Sequence, residues 1–233
     1  MPLLEGSFPS RGLRYPKADD KPPFQTRDEI LRQTEAQSLS KAAAQELWEC
    51  LYLRKQEVEQ LLDTVSERTW LPPYAYPMIC TAAHTGARRS ELLRAEVGDL
   101  DVENLVLTLR EKKRVRGRRS TRRVPLSSRL AECLSQWLEF RSSGPNLFND
   151  AAGQTLTPDK VQGTFRNAVC KSTWDVVRGW HTLRHSFISN LACDGIDQRI
   201  IDDFVGHTTE EMRRRYRHLF PNVKSSAIAR VFG

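Results

Sequence analysis

Residues 104–126 read NLVLTLREKKRVRGRRSTRRVPL. Its two ends, NLVLTLR (104–110) and TRRVPL (121–126), alternate in polarity and carry β-branched residues, so both are expected to be strands. Residues 110–123 hold nine Lys or Arg against one Glu, and Gly117 offers a turn. The pair therefore closes as an antiparallel hairpin with a basic finger at its tip. Charges of one sign at this density repel each other, so the tip is expected to be poorly ordered until phosphates neutralise it. No second strand pair is convincing. The hairpin thus fixes the class as mainly α with one small antiparallel β-sheet (α+β).

Outward from the hairpin the apolar spacing is helical. Upstream, TRDEILRQTEAQ opens with a capping box from Thr26 to Glu29, and SKAAAQELWECLYL and RKQEVEQLLDTVSE follow. After Pro72 and Pro73, AYPMICTAAHTG is an apolar helix ending at Gly86, and ARRSELLRAEV is expected to form the next one. Downstream lie SSRLAECLSQWLEF, PDKVQGTFRNAVC, TLRHSFISNLACDG, DQRIIDDFVGH and TTEEMRRRYRHL, the last capped by Thr208 with Glu211 three residues on. Residues 1–25, with prolines and charges but no apolar period, read as an extended or disordered arm, and 26–69 as a helical lead-in. A tail over 221–233 could add one more helix.

The 233 residues can bury a sizeable core, and the formal charge of +7 points to a polyanionic partner. No membrane-length apolar run or signal-like start is present, so a cytoplasmic, DNA-associated protein is expected. The five cysteines are scattered without a CxxC pair, which favours reduced thiols over a zinc site or disulfides.

Four islands carry chemistry. In HTGARRSELL (84–93), Gly86 suits a helix C-cap and places Arg88 at a helix junction; the plainer alternative is a surface arginine paired with Glu91. The finger supplies Lys112, Lys113, Arg114, Arg116, Arg118, Arg119 and Arg122, a natural match for a nucleic-acid backbone. In GWHTLRHSF (179–187), Thr182 is expected to cap a helix, with His181 just before it and Arg184 in its first turn, where an anion is favoured. The HxxxH spacing of His181 and His185 suits zinc, but Arg184 lies between them and no Glu does, so phosphate wins over metal. The fourth island, 205–219, holds His207 and Tyr216 behind Arg213, Arg214 and Arg215. Tyr216 alone would read as a half-buried core tyrosine.

Together the islands supply guanidinium, imidazole, ammonium and phenol groups, and almost no carboxylate. The best acidic pair, Asp202 and Asp203, is adjacent on a helix and diverges, which disfavours two-metal phosphodiester cleavage. A phosphoryl-transfer site of cations and a tyrosine, with no metal and no cofactor, fits better. Two arginines can grip the non-bridging oxygens, a histidine can take the phenol proton, and a lysine can protonate the departing 5′-hydroxyl.

TGARRSEL, HTLRH, and a GH pair followed nine residues later by tyrosine resemble, in order and spacing over roughly 70–220, the catalytic domain of tyrosine recombinases, the phage-integrase family. The resemblance implies phosphate-binding Arg88 and Arg184, assisting His181 and His207, and a nucleophilic Tyr216 that forms a 3′-phosphotyrosyl link to DNA. It places the lysine on the hairpin, at Lys113 or its neighbour Lys112, with Lys113 preferred. Glu91 and His185 match supporting positions, and Arg214 and Arg215 would hold the attacked strand. It further implies double-stranded DNA as partner, a homotetramer on paired sites with the segment after Pro221 exchanged between neighbours, and an accessory DNA-bending or directionality factor. Family members usually carry a core-binding domain ahead of the catalytic one, and a chain without a complete one is expected here. Two other readings remain at this point: an inactive DNA-binding remnant, and a type IB topoisomerase-like enzyme. A straight helix from Thr208 would hold Tyr216 about 12 Å from its cap.

Overall fold

The computed structural model describes residues 21–36, 39–115, 118–206 and 209–220, the side chains of 112–119 excepted. Thr26 caps the first helix, α1 (Arg27–Ala36), as expected: its amide and hydroxyl both donate to Glu29 Oε2, at 2.7 and 2.8 Å. Helices α2 (Lys41–Glu49) and α3 (Lys55–Ser66) follow, joined by an extended stretch whose Leu51 bridges Gln25. The centre of the molecule is α4 (Ala75–Thr85), in which every residue except Tyr76 and His84 is buried. A helix apolar on all sides belongs in a core. Here it packs against α3, α6 (Ser128–Phe140), α7 (Pro158–Val169) and α8 (Trp180–Cys193).

α4 ends at Gly86, whose φ of +61° is the left-handed cap conformation. A Cβ at this position would lie 2.7 Å from Phe187 Cδ1 of α8, so glycine also permits the close approach of the two helices. The expected long helix over 87–97 is not formed. α5 spans only Arg89–Leu92, because Leu147 donates to the Ala95 carbonyl and the Val97 amide donates to Pro145 O, pulling the chain away from helical bonding.

The sheet has three antiparallel strands in the order β1 (Leu100–Asp101), β2 (Val106–Val115), β3 (Arg118–Pro125). Strand β1 was not foreseen, being only two residues long. The hairpin strands also run further than the apolar alternation suggests. The backbone remains paired to Val115 opposite Arg118, after a register shift between Arg110 and Arg114, so charge along the finger does not prevent strand pairing. Leu107 faces Val124 and Leu109 faces Arg122 across the pair.

Helices α9 (Gln198–Val205) and α10 (Glu210–Tyr216) close the chain. With Phe24, Cys50, Tyr52, Ile188 and Ala192 they form a second apolar cluster containing Tyr216. α10 is capped by Thr209, which accepts from the Met212 amide, rather than by Thr208, which lies outside the described residues. All five cysteines are free, with Cys50, Cys80 and Cys133 buried. Among the described residues no helix is long and apolar enough to cross a membrane.

Candidate active site

The loop after Gly86 delivers Arg88 as the residue preceding α5. Its amide and its Nη1 both donate to Glu91, at 2.7 and 3.0 Å, so backbone and guanidinium are held by one carboxylate. Glu91 is itself buried, 2% exposed, and receives Arg122 in a bidentate pair at 3.0 and 2.7 Å. Burial opposes ionisation of Glu91, but Arg122 and Arg88 outweigh it and hold its pKa below the ordinary carboxylate value. The pair with Glu91 that the plainer alternative anticipated thus exists, and it holds Arg88 where the guanidinium lines a cleft.

Arg122 corrects the sequence reading. Expected to contact DNA from the finger, it is instead buried, with Nε on the Phe204 carbonyl at 2.6 Å and both Nη atoms on Glu91. It stands opposite Leu109, on the inward face of the sheet, and links the hairpin to α5 and to the end of α9. Arg122→Ala would leave the Glu91 charge buried without its main partner, a loss of about 3–5 kcal/mol. Urea unfolding should show that loss. The salt dependence of DNA binding should not change, as it would if Arg122 held a phosphate.

On α8 the expected cap at Thr182 is also corrected. The helix is capped by Gly179, and Thr182 is a buried residue of its first turn donating to Gly179 O. His181 therefore belongs to the helix, where it reaches solvent, and Arg184 lies a turn deeper. Arg184 is 7% exposed and spans two chain segments, with Nη1 on Gly86 O and Nη2 on Val205 O, each at 2.7 Å. Burial, then the charges of Arg88 and Arg122, lower its pKa to about 10, still well above neutrality. Together Arg122 and Arg184 bond consecutive carbonyls, Phe204 O and Val205 O, at the C-terminus of α9, a favoured place for cations. Gly206 follows with φ of +74°, and a Cβ there would collide with the Glu111 carboxylate, so the turn toward His207 requires glycine. His207 itself lies outside the described residues.

Arg88, His181, Arg184 and His185 line one cleft of about 710 Å³, with Arg89 and Arg178 beside them. The last two were not singled out from the sequence; Arg89 merely follows Arg88 in the motif, while Arg178 carries no local signal. Arg89 is fixed by Gln162 of α7 at 3.0 Å. Burial and the charges of Arg184, Arg88 and Arg89 hold His181 below the ordinary imidazole pKa.

Tyr216 lies behind the wall of this cleft. It is 1% exposed, and its hydroxyl is 2.8 Å from His185 Nδ1. Burial raises the phenol pKa well above its usual value, against the pull of Arg184 and Arg215. Burial, then His181, Arg215 and Arg184, lower His185 to about 3, so its imidazole is neutral at physiological pH. A neutral imidazole holds one N–H and one lone pair; in the tautomer protonated at Nε2, the lone pair at Nδ1 accepts a hydrogen bond from the phenol hydroxyl.

The arginines before Tyr216 differ from expectation in part. Arg214 is exposed, whereas Arg215 turns inward, with its guanidinium 3.9 Å above the Phe24 ring, Nε on Pro22 O at 3.0 Å and Nη2 on Cys50 Sγ at 3.1 Å. As folded, Arg215 is engaged by Phe24, Pro22 and Cys50 while it also lines the cleft. Phe24, at the inner end of the expected arm, is fully buried in extended chain. The remaining expected contacts cannot be placed: the side chains of Lys112, Lys113, Arg114, Arg118 and Arg119, and Arg116 altogether, lie outside the described residues. Among the described residues no group of three or more His, Cys, Asp or Glu could hold a metal ion.

The sequence model of the phage integrase family matches residues 51–222. The chain belongs to the phage integrase family. The tyrosine recombinase XerC of Azotobacter vinelandii is 30% identical over 166 residues, which cover 69% of this chain and 53% of that protein. The chain thus spans about half the length of the curated relatives it matches. Among solved structures, the Tn1549 transposon integrase in complex with transposon right end DNA superposes with a TM-score of 0.62 at 17% identity, covering 88% of this chain and 84% of that one. The catalytic domain of bacteriophage HP1 integrase does so with a TM-score of 0.54 at 21% identity, over 78% and 94%. These likenesses establish a tyrosine recombinase catalytic-domain fold for this phage integrase family member.

Proposed function

We propose that this chain cleaves and rejoins DNA strands through a covalent 3′-phosphotyrosyl intermediate, as a site-specific recombinase acting on double-stranded DNA. The observation that carries the reading is the convergence of Arg88, Arg184, His181 and His185 on one cleft, with the Tyr216 hydroxyl bonded to the last of them. Tyr216 Oη attacks phosphorus, the P–O5′ bond breaks, and the phenol proton passes to an imidazole, for which His185 Nδ1 is the group in contact. The departing 5′-oxygen takes a proton from the finger lysine, Lys113 or Lys112. Arg88 and Arg184 meet the charge that grows on the non-bridging oxygens, a contribution that needs no metal. Attack by the freed 5′-hydroxyl reverses the steps, since a phenolate is a tolerable leaving group. Exchange between two duplexes would take four protomers, one for each strand cut, with accessory DNA-bending or directionality factors as further partners.

The burial of Tyr216 favours a second reading, a protein that holds DNA without cutting it. A nicked suicide duplex separates the two. Wild type should give a denaturant-resistant protein–DNA adduct and Tyr216→Phe none; no adduct from either protein would leave DNA holding as the function. The finger has its own signature. Neutralising Arg114, Arg118 and Arg119 together as glutamines should lower the slope of log affinity against log salt by about one per lost phosphate contact. Titration at several salt concentrations measures it, and an unchanged slope would remove the finger from the DNA interface.

A further inference from the structure

We propose that Lys21–Thr26 is an intramolecular strap that keeps the enzyme inactive by packing Phe24 onto Tyr216, and that engagement of DNA displaces it. The inference rests on Tyr216 being the nucleophile. Phe24 stacks on the Tyr216 ring, with centroids 4.4 Å apart and planes at 21°, and lies 4.1 Å from the His185 ring. An attacking oxygen must come within about 3–3.5 Å of phosphorus along an open line. A phenol that is 1% exposed, covered on its ring face and bonded at its hydroxyl, offers no such line. Some covering group has to leave before attack.

The strap is the group built to leave. Pro22 and Pro23 have no N–H to donate. Its backbone is tied through the Phe24 amide to Arg215 O at 3.3 Å and the Gln25 amide to Cys50 O at 3.0 Å, with Tyr52 N returning to Gln25 O at 2.9 Å and His218 Nε2 lying 3.0 Å from Phe24 O. Lys21–Gln25 belongs to no helix or strand ladder beyond the single Gln25–Leu51 bridge, and segments outside regular elements open at lower cost. By contrast Glu91, Arg122 and Arg184 are interlocked across four chain segments and have no comparable freedom.

The strap also engages the groups that DNA would need. Arg215 stacks on Phe24 and donates to Pro22 O, and Lys21 and Pro22 line the same cleft as Arg88, His181 and Arg184. A phosphate attracting Arg215 would remove the ion from above Phe24 and the bond to Pro22 in one movement. DNA and strap therefore compete, and the competition couples loading of the cleft to exposure of the tyrosine.

Two measurements on the full chain test this. First, Phe24→Ala and the milder Phe24→Leu, checked for folding by thermal melting, are assayed for adduct formation on the nicked suicide duplex. Release of inhibition predicts several-fold faster adduct formation in Phe24→Ala; a folded variant that reacts at the wild-type rate or more slowly makes Phe24 a support of Tyr216 and overturns the proposal. Second, hydrogen exchange at the Phe24 and Gln25 amides is followed with and without a saturating mixed-sequence duplex. Faster exchange with DNA supports displacement, and unchanged exchange overturns it. If no variant forms adduct, the nucleophile reading has failed, while the exchange result still shows whether the strap leaves.

Discussion

Exchanging Arg184 for alanine should lower cleavage of a suicide duplex by about a hundred- to a thousandfold, the usual consequence of losing one preorganised charge donor at a transition state. The structure makes this residue more demanding than a simple phosphate clamp. It bonds Gly86 O, at the end of α4, and Val205 O, at the end of α9, so it also sets the relation between the Arg88 loop and the turn leading to His207. Losing it leaves two buried carbonyls without this donor, at about 1–3 kcal/mol each. The assay must accordingly be run where urea titration shows the variant folded. Arg184→Lys separates the two roles: it keeps a cation but has a point charge where a planar fork is needed, and cleavage should still fall steeply. Binding of DNA should be largely retained in both variants, because many other cations meet the backbone. Cleavage intact in folded Arg184→Ala would refute the assignment of the cleft.

Much of this cleft was legible in the sequence, and the failures have physical causes. Gly86 and Arg88 were readable because a left-handed cap has few candidate residues and a guanidinium just beyond it has few directions to take. Thr26 announced a real cap, its hydroxyl and amide both bonded to Glu29. Thr182 did not, because a threonine satisfies its hydroxyl equally well inside a helix, and Gly179 with Trp180 already opened α8 one turn earlier. Arg122 was lost among eight similar cations. The sheet's alternation could have singled it out: Val124 faces the core, and the residue two before it must share that face. A charge on the buried face of a strand demands a buried partner, and Glu91 was already in hand. Phe24 carried a fainter signal, a lone aromatic between two prolines and a capping threonine. Composition classed that stretch with the arm, and only the tertiary structure shows it seated beside Tyr216. The His185–Tyr216 bond lay beyond local reading altogether, since the two residues are 31 positions apart and no periodicity joins them.

That bond yields the second large effect, on stability against pH. In the unfolded chain His185 titrates near the ordinary value of 6.5, whereas burial and the charges of His181, Arg215 and Arg184 bring it to about 3 in the folded protein. Between those values the unfolded state binds a proton that the folded state refuses, so stability rises with pH across the window and is lost as pH falls through it. From pH 7 to pH 5 the loss amounts to about 2 kcal/mol at about 1.4 kcal/mol per pKa unit. His181, also lowered, acts in the same direction and Glu91 adds its own loss in more acid solution, so the wild-type curve alone cannot assign the effect. His185→Asn supplies the reference, since an amide oxygen can accept from the Tyr216 hydroxyl and does not titrate. Urea unfolding of both proteins at pH 7 and pH 5 should show the wild type losing about 2 kcal/mol more than the variant. Equal losses would mean that folding leaves the His185 pKa unshifted, so that burial and the neighbouring charges do not oppose its protonation. The same measurement therefore tests the burial of the imidazole and the weight of the cations around it.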